Sequence, residues 1–120
     1  MCLNVLVLES DPFIAEDIRE IVTALEPRAE VHLTESVGHA ITLLDQAENW
    51  IWAVIDCRSY QLTDPALRVA LDQRNLTPVV LNEAAAEARC GGWVFLNKPF
   101  STASLEDALR ASSARNSALG

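Results

Sequence analysis

A chain of 120 residues, half of them apolar, is long enough for one domain with a hydrophobic core and too short for two. Seventeen acidic against nine basic residues give a net charge of −8, with no stripe of Lys and Arg to neutralise phosphates, which argues against direct nucleic-acid binding. The opening "MCLNVLVLES" has no basic region and too short an apolar run for a signal sequence or a membrane span, so a cytoplasmic protein without membrane association is expected.

Short runs rich in Val, Ile and Leu alternate with stretches of helical period, the pattern of βα units and a parallel sheet. The first strand, "LNVLVLE" (3–9), is apolar at almost every position, as a strand covered on both faces should be. Asp11 and Pro12 then supply a cap and a first turn for a helix. Its apolar face holds Ile14, Ile18, Ile21, Val22 and Leu25, and it should end near Pro27. "EVHLTE" (30–35) is the second strand, and Ser36 caps a second helix (37–47) carrying Val37, Ala40, Ile41 and Leu44. "IWAVID" (51–56) is the third strand, again apolar throughout until Asp56. Asp64 and Pro65 repeat the cap device before a third helix (65–74) with Leu67, Ala70 and Leu71.

"PVVL" (78–81) and "WVFLN" (93–97) are the fourth and fifth strands. Between them "NEAAAEARC" has strong helix formers and almost no large apolar anchor, which predicts a weak fourth helix. The last helix, from Ser101, should bury Leu105, Ala108 and Leu109 and fray after about residue 114 into a small, polar tail. No linker, repeat or second domain is visible, so residues 1–120 read as one domain. Cys2, Cys57 and Cys90 form no C-x-x-C pair and read as reduced thiols. His32 and His39 lie far from other ligand types and read as surface or helix-face residues.

Doubly wound sheets place their sites at the carboxyl ends of the strands. That rule selects Glu9, Ser10 and Asp11 after the first strand, Asp56 after the third, Asn82 and Glu83 after the fourth, and Asn97 and Lys98 after the fifth. Acids from two neighbouring strand ends and a lysine from a third suit a hard cation and a phosphate-like group. The structural alternative for each acid is a helix cap.

Four segments in order, "VLVLESDPFIAEDI", "WAVIDCRS", "TPVVL" and "VFLNKPF", resemble the receiver domain of bacterial two-component response regulators over almost the whole chain. The resemblance implies a (βα)5 CheY-like, flavodoxin-like fold with strand order 2-1-3-4-5, and a signalling domain rather than an enzyme. By the same resemblance Asp56 is the phosphoacceptor, taking a phosphoryl group from a histidine kinase or phosphotransfer protein. Mg2+ would be held by Glu9, Asp56, Ser10 and the backbone carbonyl of Arg58. Lys98 would bind the phosphoryl oxygens behind a cis Lys98–Pro99 bond, and Phe95 falls on the switch aromatic. An unidentified downstream protein is a further implied partner, with a homodimer left open. The weak fourth helix, the fifth strand and the last helix, with Trp93, form the candidate output face. Trp50 and Trp52, at the opposite end of the third strand, are expected only to pack.

The chain departs from the family in three places. Ser10 stands where the pair's second acid is expected. A unit charge at about 4 Å is worth roughly 4 kcal/mol per opposing charge at an effective dielectric near 20, so Mg2+ binding should weaken or be lost. A serine hydroxyl can still ligate Mg2+, and Asp11 is expected to be committed to the helix cap. At the fourth strand, Asn82 or Glu83 replaces the family's Thr or Ser: Asn82 could donate an amide hydrogen bond, whereas Glu83 would repel a phosphoryl dianion. The loop "CRSYQLTDP" places Arg58 and Tyr60 beside the site and lacks the family's Pro-x-x-x-Gly pattern. Two readings follow, a working receiver or a degenerate one acting as a phosphorylation-independent binding module. A flavin protein is disfavoured because "ESDPF" is acidic where a phosphate would sit. A two-aspartate phosphatase is disfavoured because Glu9-Ser10-Asp11 only loosely imitates its Asp-x-Asp.

Overall fold

The computed structural model describes residues 2–56, 65–82, 93–97 and 99–119. Nine elements follow in order: β1 (Leu3–Leu8), α1 (Pro12–Leu25), β2 (Ala29–Thr34), α2 (Val37–Gln46), β3 (Trp50–Asp56), α3 (Pro65–Asp72), β4 (Val79–Asn82), β5 (Val94–Asn97) and α4 (Thr102–Leu119). The strands form one parallel sheet in the order β2-β1-β3-β4-β5, as the family resemblance implies. The expected helix in "NEAAAEARC" lies outside the described residues, apart from Asn82, which ends β4.

The apolar character of β1 and β3, interrupted only by Asn4 and by Asp56 at the end of β3, has a direct cause. Alternate side chains of a strand point to opposite faces. Val5, Val7, Trp52 and Val54 enter a core with Ile18 and Val22 of α1 and Leu105 and Leu109 of α4. Leu6, Leu8, Ala53 and Ile55 enter a second core with Ala40 and Leu44 of α2 and Leu67 and Leu71 of α3. Both faces are therefore dry from Asn4 to Leu8 and from Trp52 to Asp56, and only the first positions of each strand, Leu3, Trp50 and Ile51, are partly exposed. Burial of this kind, at about 1.5–3 kcal/mol per large aliphatic side chain, is what holds helices to sheet.

Both expected caps on described residues form. Asp11 Oδ1 accepts from the N–H groups of Phe13 at 2.9 Å and Ile14 at 3.4 Å, and Ser36 Oγ accepts from His39 N–H at 3.3 Å. The last helix departs from expectation, running on to Leu119 with no break at residue 114. Its small polar residues are clamps. Ser112, fully buried, donates to Thr77 O, and Asn116 Oδ1 accepts the Thr77 N–H at 2.6 Å. Ser113 Oγ and Leu109 O accept from Trp52 Nε1 at 2.7 and 3.1 Å. Trp52 therefore packs, as expected, and also pins α4 to β3. Trp50 donates to Ala47 O at 3.0 Å.

His39 is an exposed helix residue, but His32 corrects the sequence reading. It is half-buried on β2, its Nε2 is 2.9 Å from Asn4 Oδ1, and its ring lies against Trp50 with centroids 5.2 Å apart. That contact satisfies Asn4, a polar residue only 5% exposed in a strand otherwise apolar.

Candidate functional site

The switch in strand order falls between β1 and β3, parallel neighbours whose successors β2 and β4 lie on opposite sides of them in the sheet. Leu8 pairs with Ile55, so the next residue on each strand, Glu9 and Asp56, sits at the shared carboxyl end. Both acids are buried, at 3% and 6% exposure. A structural domain has little use for two buried carboxylates at adjacent strand ends, because their desolvation is costly unless charge or hydrogen bonds compensate it.

Backbone geometry fixes Glu9. Its N–H donates to Thr34 O of β2 at 3.0 Å, and its Oε2 accepts from the Asp11 N–H at 3.1 Å. Asp11 meanwhile turns its own carboxylate onto the first turn of α1. The two acids flanking Ser10 are thus assigned separate tasks: Glu9 stays at the strand end, and Asp11 caps the helix. Ser10 lies between them, half-buried.

Among the described residues no group of three His, Cys, Asp or Glu side chains is placed to hold a metal ion. Two carboxylates still meet the usual demand of Mg2+, which commonly takes one or two and retains several waters. Glu9 and Asp56 fit that role, with Ser10 as a neutral neighbour.

On the other side of Asp56, its β4 partner is Leu81, and Asn82 follows one step beyond. Asn82 pairs in turn with Asn97 of β5, so Lys98 comes next in the chain after the strand end. Lys98, Arg58, Tyr60 and Glu83 lie outside the described residues, and so do Cys57, Cys90 and Asp64. Phe95 is half-buried in β5 opposite Val80. Trp93 is half-buried too, with the Arg68 guanidinium 5.4 Å from its ring centroid and its carbonyl accepting from Arg115 at 2.8 Å.

Sequence reasoning treated Thr34 only as a strand residue. It is buried at 6% and closes the β2 side of the site: its carbonyl holds Glu9, and its Oγ1 accepts from Ser36 N–H at 3.2 Å and lies 2.8 Å from His39 Nδ1. The available signal was position, since a hydroxyl ends the strand beside the Glu9 strand.

The same fold occurs in solved receiver domains. The receiver domain of a sensor histidine kinase from Pseudomonas aeruginosa PAO1, with a magnesium ion coordinated in its active site cleft, superposes with a TM-score of 0.76 at 20% identity, covering 95% of this chain and 99% of that one. A response regulator receiver protein from Sinorhizobium medicae gives 0.74 at 22% identity, with 95% and 97% covered. A chemotaxis protein, CheY4, from Vibrio cholerae gives 0.74 at 13% identity, with 93% and 99% covered. No family model and no curated protein matches the chain. The fold is thus that of CheY-like receiver domains.

Proposed function

We propose that the chain is a response-regulator receiver that accepts a phosphoryl group on Asp56 from a phosphohistidine donor and signals through a protein-binding surface. The observation that carries this reading is the pair of buried acids, Glu9 and Asp56, side by side at the carboxyl ends of β1 and β3. In the transfer a carboxylate oxygen of Asp56 attacks phosphorus in line, the P–N bond of the donor breaks, and the imidazole leaves with a proton from solvent. Lys98 would take the phosphoryl oxygens as a point charge. Magnesium, when bound, would neutralise the charge gathered between Glu9, Asp56 and the incoming group, with Ser10 and the carbonyl of Arg58 completing its protein ligands.

Ser10 supports a second reading, in which the domain works as a binding module without phosphorylation. With Asp11 committed to the cap, no third carboxylate among the described residues compensates for the serine.

The discriminating experiment is intact mass after brief exposure to acetyl phosphate, quenched in acid, with and without magnesium and beside an Asp56→Asn control. A magnesium-dependent gain of one phosphoryl group, missing in the control, supports the receiver reading. No gain, in folded protein run beside a competent receiver, overturns it in favour of the binding module.

A further inference from the structure

The sheet edge beside the candidate site carries a groove that shares Glu9 and Ser10 with that site but, among the described residues, is not lined by Asp56. It lies between the first turns of α1 and the corner where β2 passes into α2, and its volume is about 630 Å³. That is within the range of sites that bury several side chains or a small ligand. Its floor is apolar, formed by Pro12, Ala15 and Leu33, and Leu33 is 38% exposed although it is a strand residue. Its rim is acidic. Glu16 and Glu35 stand on opposite walls, and Glu9 closes the inner end. Glu16 is paired on its own helix with Arg19, whereas Glu35 forms no ion pair with Lys or Arg among the described residues. Among the described residues no Lys or Arg lines the groove, and His39 is its only basic side chain.

An apolar floor under carboxylates on both walls selects an occupant with an apolar side chain flanked by cations. A second copy of this chain is a poor candidate, since two bodies of charge −8 repel. We infer that this groove docks a basic segment of a partner protein, one aliphatic or aromatic side chain seated on Pro12, Ala15 and Leu33 and Lys or Arg head groups against Glu16 and Glu35. The inference stands apart from phosphorylation of Asp56. Because Glu9 and Ser10 line both places, however, occupancy of one site would alter the affinity of the other, by linkage.

The test uses the full chain, without magnesium or phosphoryl donor, so that it is independent of whether Asp56 is phosphorylated. The probe is the amidated, N-acetylated peptide Lys-Leu-Lys-Leu-Lys, with its Glu-for-Lys counterpart as control, titrated while backbone amide shifts are followed by NMR. Saturable shifts confined to Ala15, Leu33 to Ser36 and His39 are expected for the basic peptide alone. The double variant Glu16→Lys, Glu35→Lys, with an unchanged far-ultraviolet spectrum, should bind at least tenfold more weakly. Leu33→Ser should weaken binding about three- to tenfold. Shifts scattered over the acidic surface, no saturation, equal binding of the acidic peptide, or undiminished binding by the double variant would each overturn the proposal.

Discussion

Replacing Asn116 by Ala tests whether the end of α4 is a clamp or a tail. Thr77 precedes β4 and is 4% exposed, and both polar groups of its backbone are taken by α4: its N–H by Asn116 Oδ1 at 2.6 Å, its C=O by the Ser112 hydroxyl. Removing the Asn116 acceptor leaves a nearly buried N–H without that partner, which costs about 1–3 kcal/mol. The better helix propensity of Ala returns about 0.5 kcal/mol. Asn116 is itself half-buried, so water reaches part of the gap and the lower half of the range applies. The expected net loss is about 0.5–1.5 kcal/mol, or a fall in Tm of roughly 2–6 °C for a domain of this size.

The assay is urea unfolding followed by circular dichroism and by tryptophan fluorescence, to which Trp52 reports from the same clamp. Ser112→Ala should lose about 0.5–1.5 kcal/mol, and Asn116→Asp, which keeps an acceptor, should lose less than Asn116→Ala. Arg110→Ala, exposed on the same helix, is the control and should change stability by less than about 0.5 kcal/mol. If Asn116→Ala and Ser112→Ala both stayed within about 0.3 kcal/mol of the parent, the clamp argument would be wrong.

Three further outcomes are expected. Asp11→Ala should destabilise the domain by about 1 kcal/mol through loss of the α1 cap, whereas Asp11→Asn, scored in the same urea titration, should restore most of it. Ser10→Asp should raise magnesium affinity at least tenfold by calorimetric titration. It should also lower Tm without magnesium and raise it with magnesium; a Tm indifferent to the ion would count against a metal position there. Cys2 donates its thiol to Glu30 Oε2 at 3.5 Å, and the nearby carboxylate raises the thiol pKa by favouring the protonated form. Glu30→Gln should therefore shift the pH profile of Cys2 alkylation, followed on the Cys2-containing peptide after digestion, to lower pH and speed the reaction at about pH 8. An unchanged profile would refute that contact.

How much of this was legible in the chain follows from which interactions are local. β1 and β3 could be read because burial on both faces leaves its mark at every position, from Val5 to Leu8 and from Trp52 to Ile55. Asp11 and Ser36 could be read as caps because a cap bonds to N–H groups only two or three residues on. Ser112 and Asn116 could not, since their partner Thr77 lies 35 and 39 residues away, and by local propensity Ser and Asn in a helix look like fraying. His32 was misread for the same reason, its partner Asn4 being 28 residues distant. The candidate site was legible as a set of strand ends, because the fold rule converts position into proximity. The groove beside it was not: Leu33 looks like any strand residue until the sheet order puts β2 at an edge.

The serine in "ESDP" can now be argued from both sides of its charge balance. An acid at that position would add a third carboxylate beside Glu9 and Asp56, two groups already removed from water. At separations of about 4 Å each like-charge pair would cost up to roughly 4 kcal/mol at an effective dielectric near 20, unless a cation is present. On the proposed receiver reading, a full acidic set would repel itself in the absence of a cation, and Ser10 would relieve part of that repulsion. Asp11 cannot redress the balance without abandoning Phe13 and Ile14 at the start of α1. On that reading Ser10 would exchange metal affinity for stability of the metal-free form, and the size of that exchange, read by the Ser10→Asp titration, would separate a receiver that needs magnesium from a module that does not.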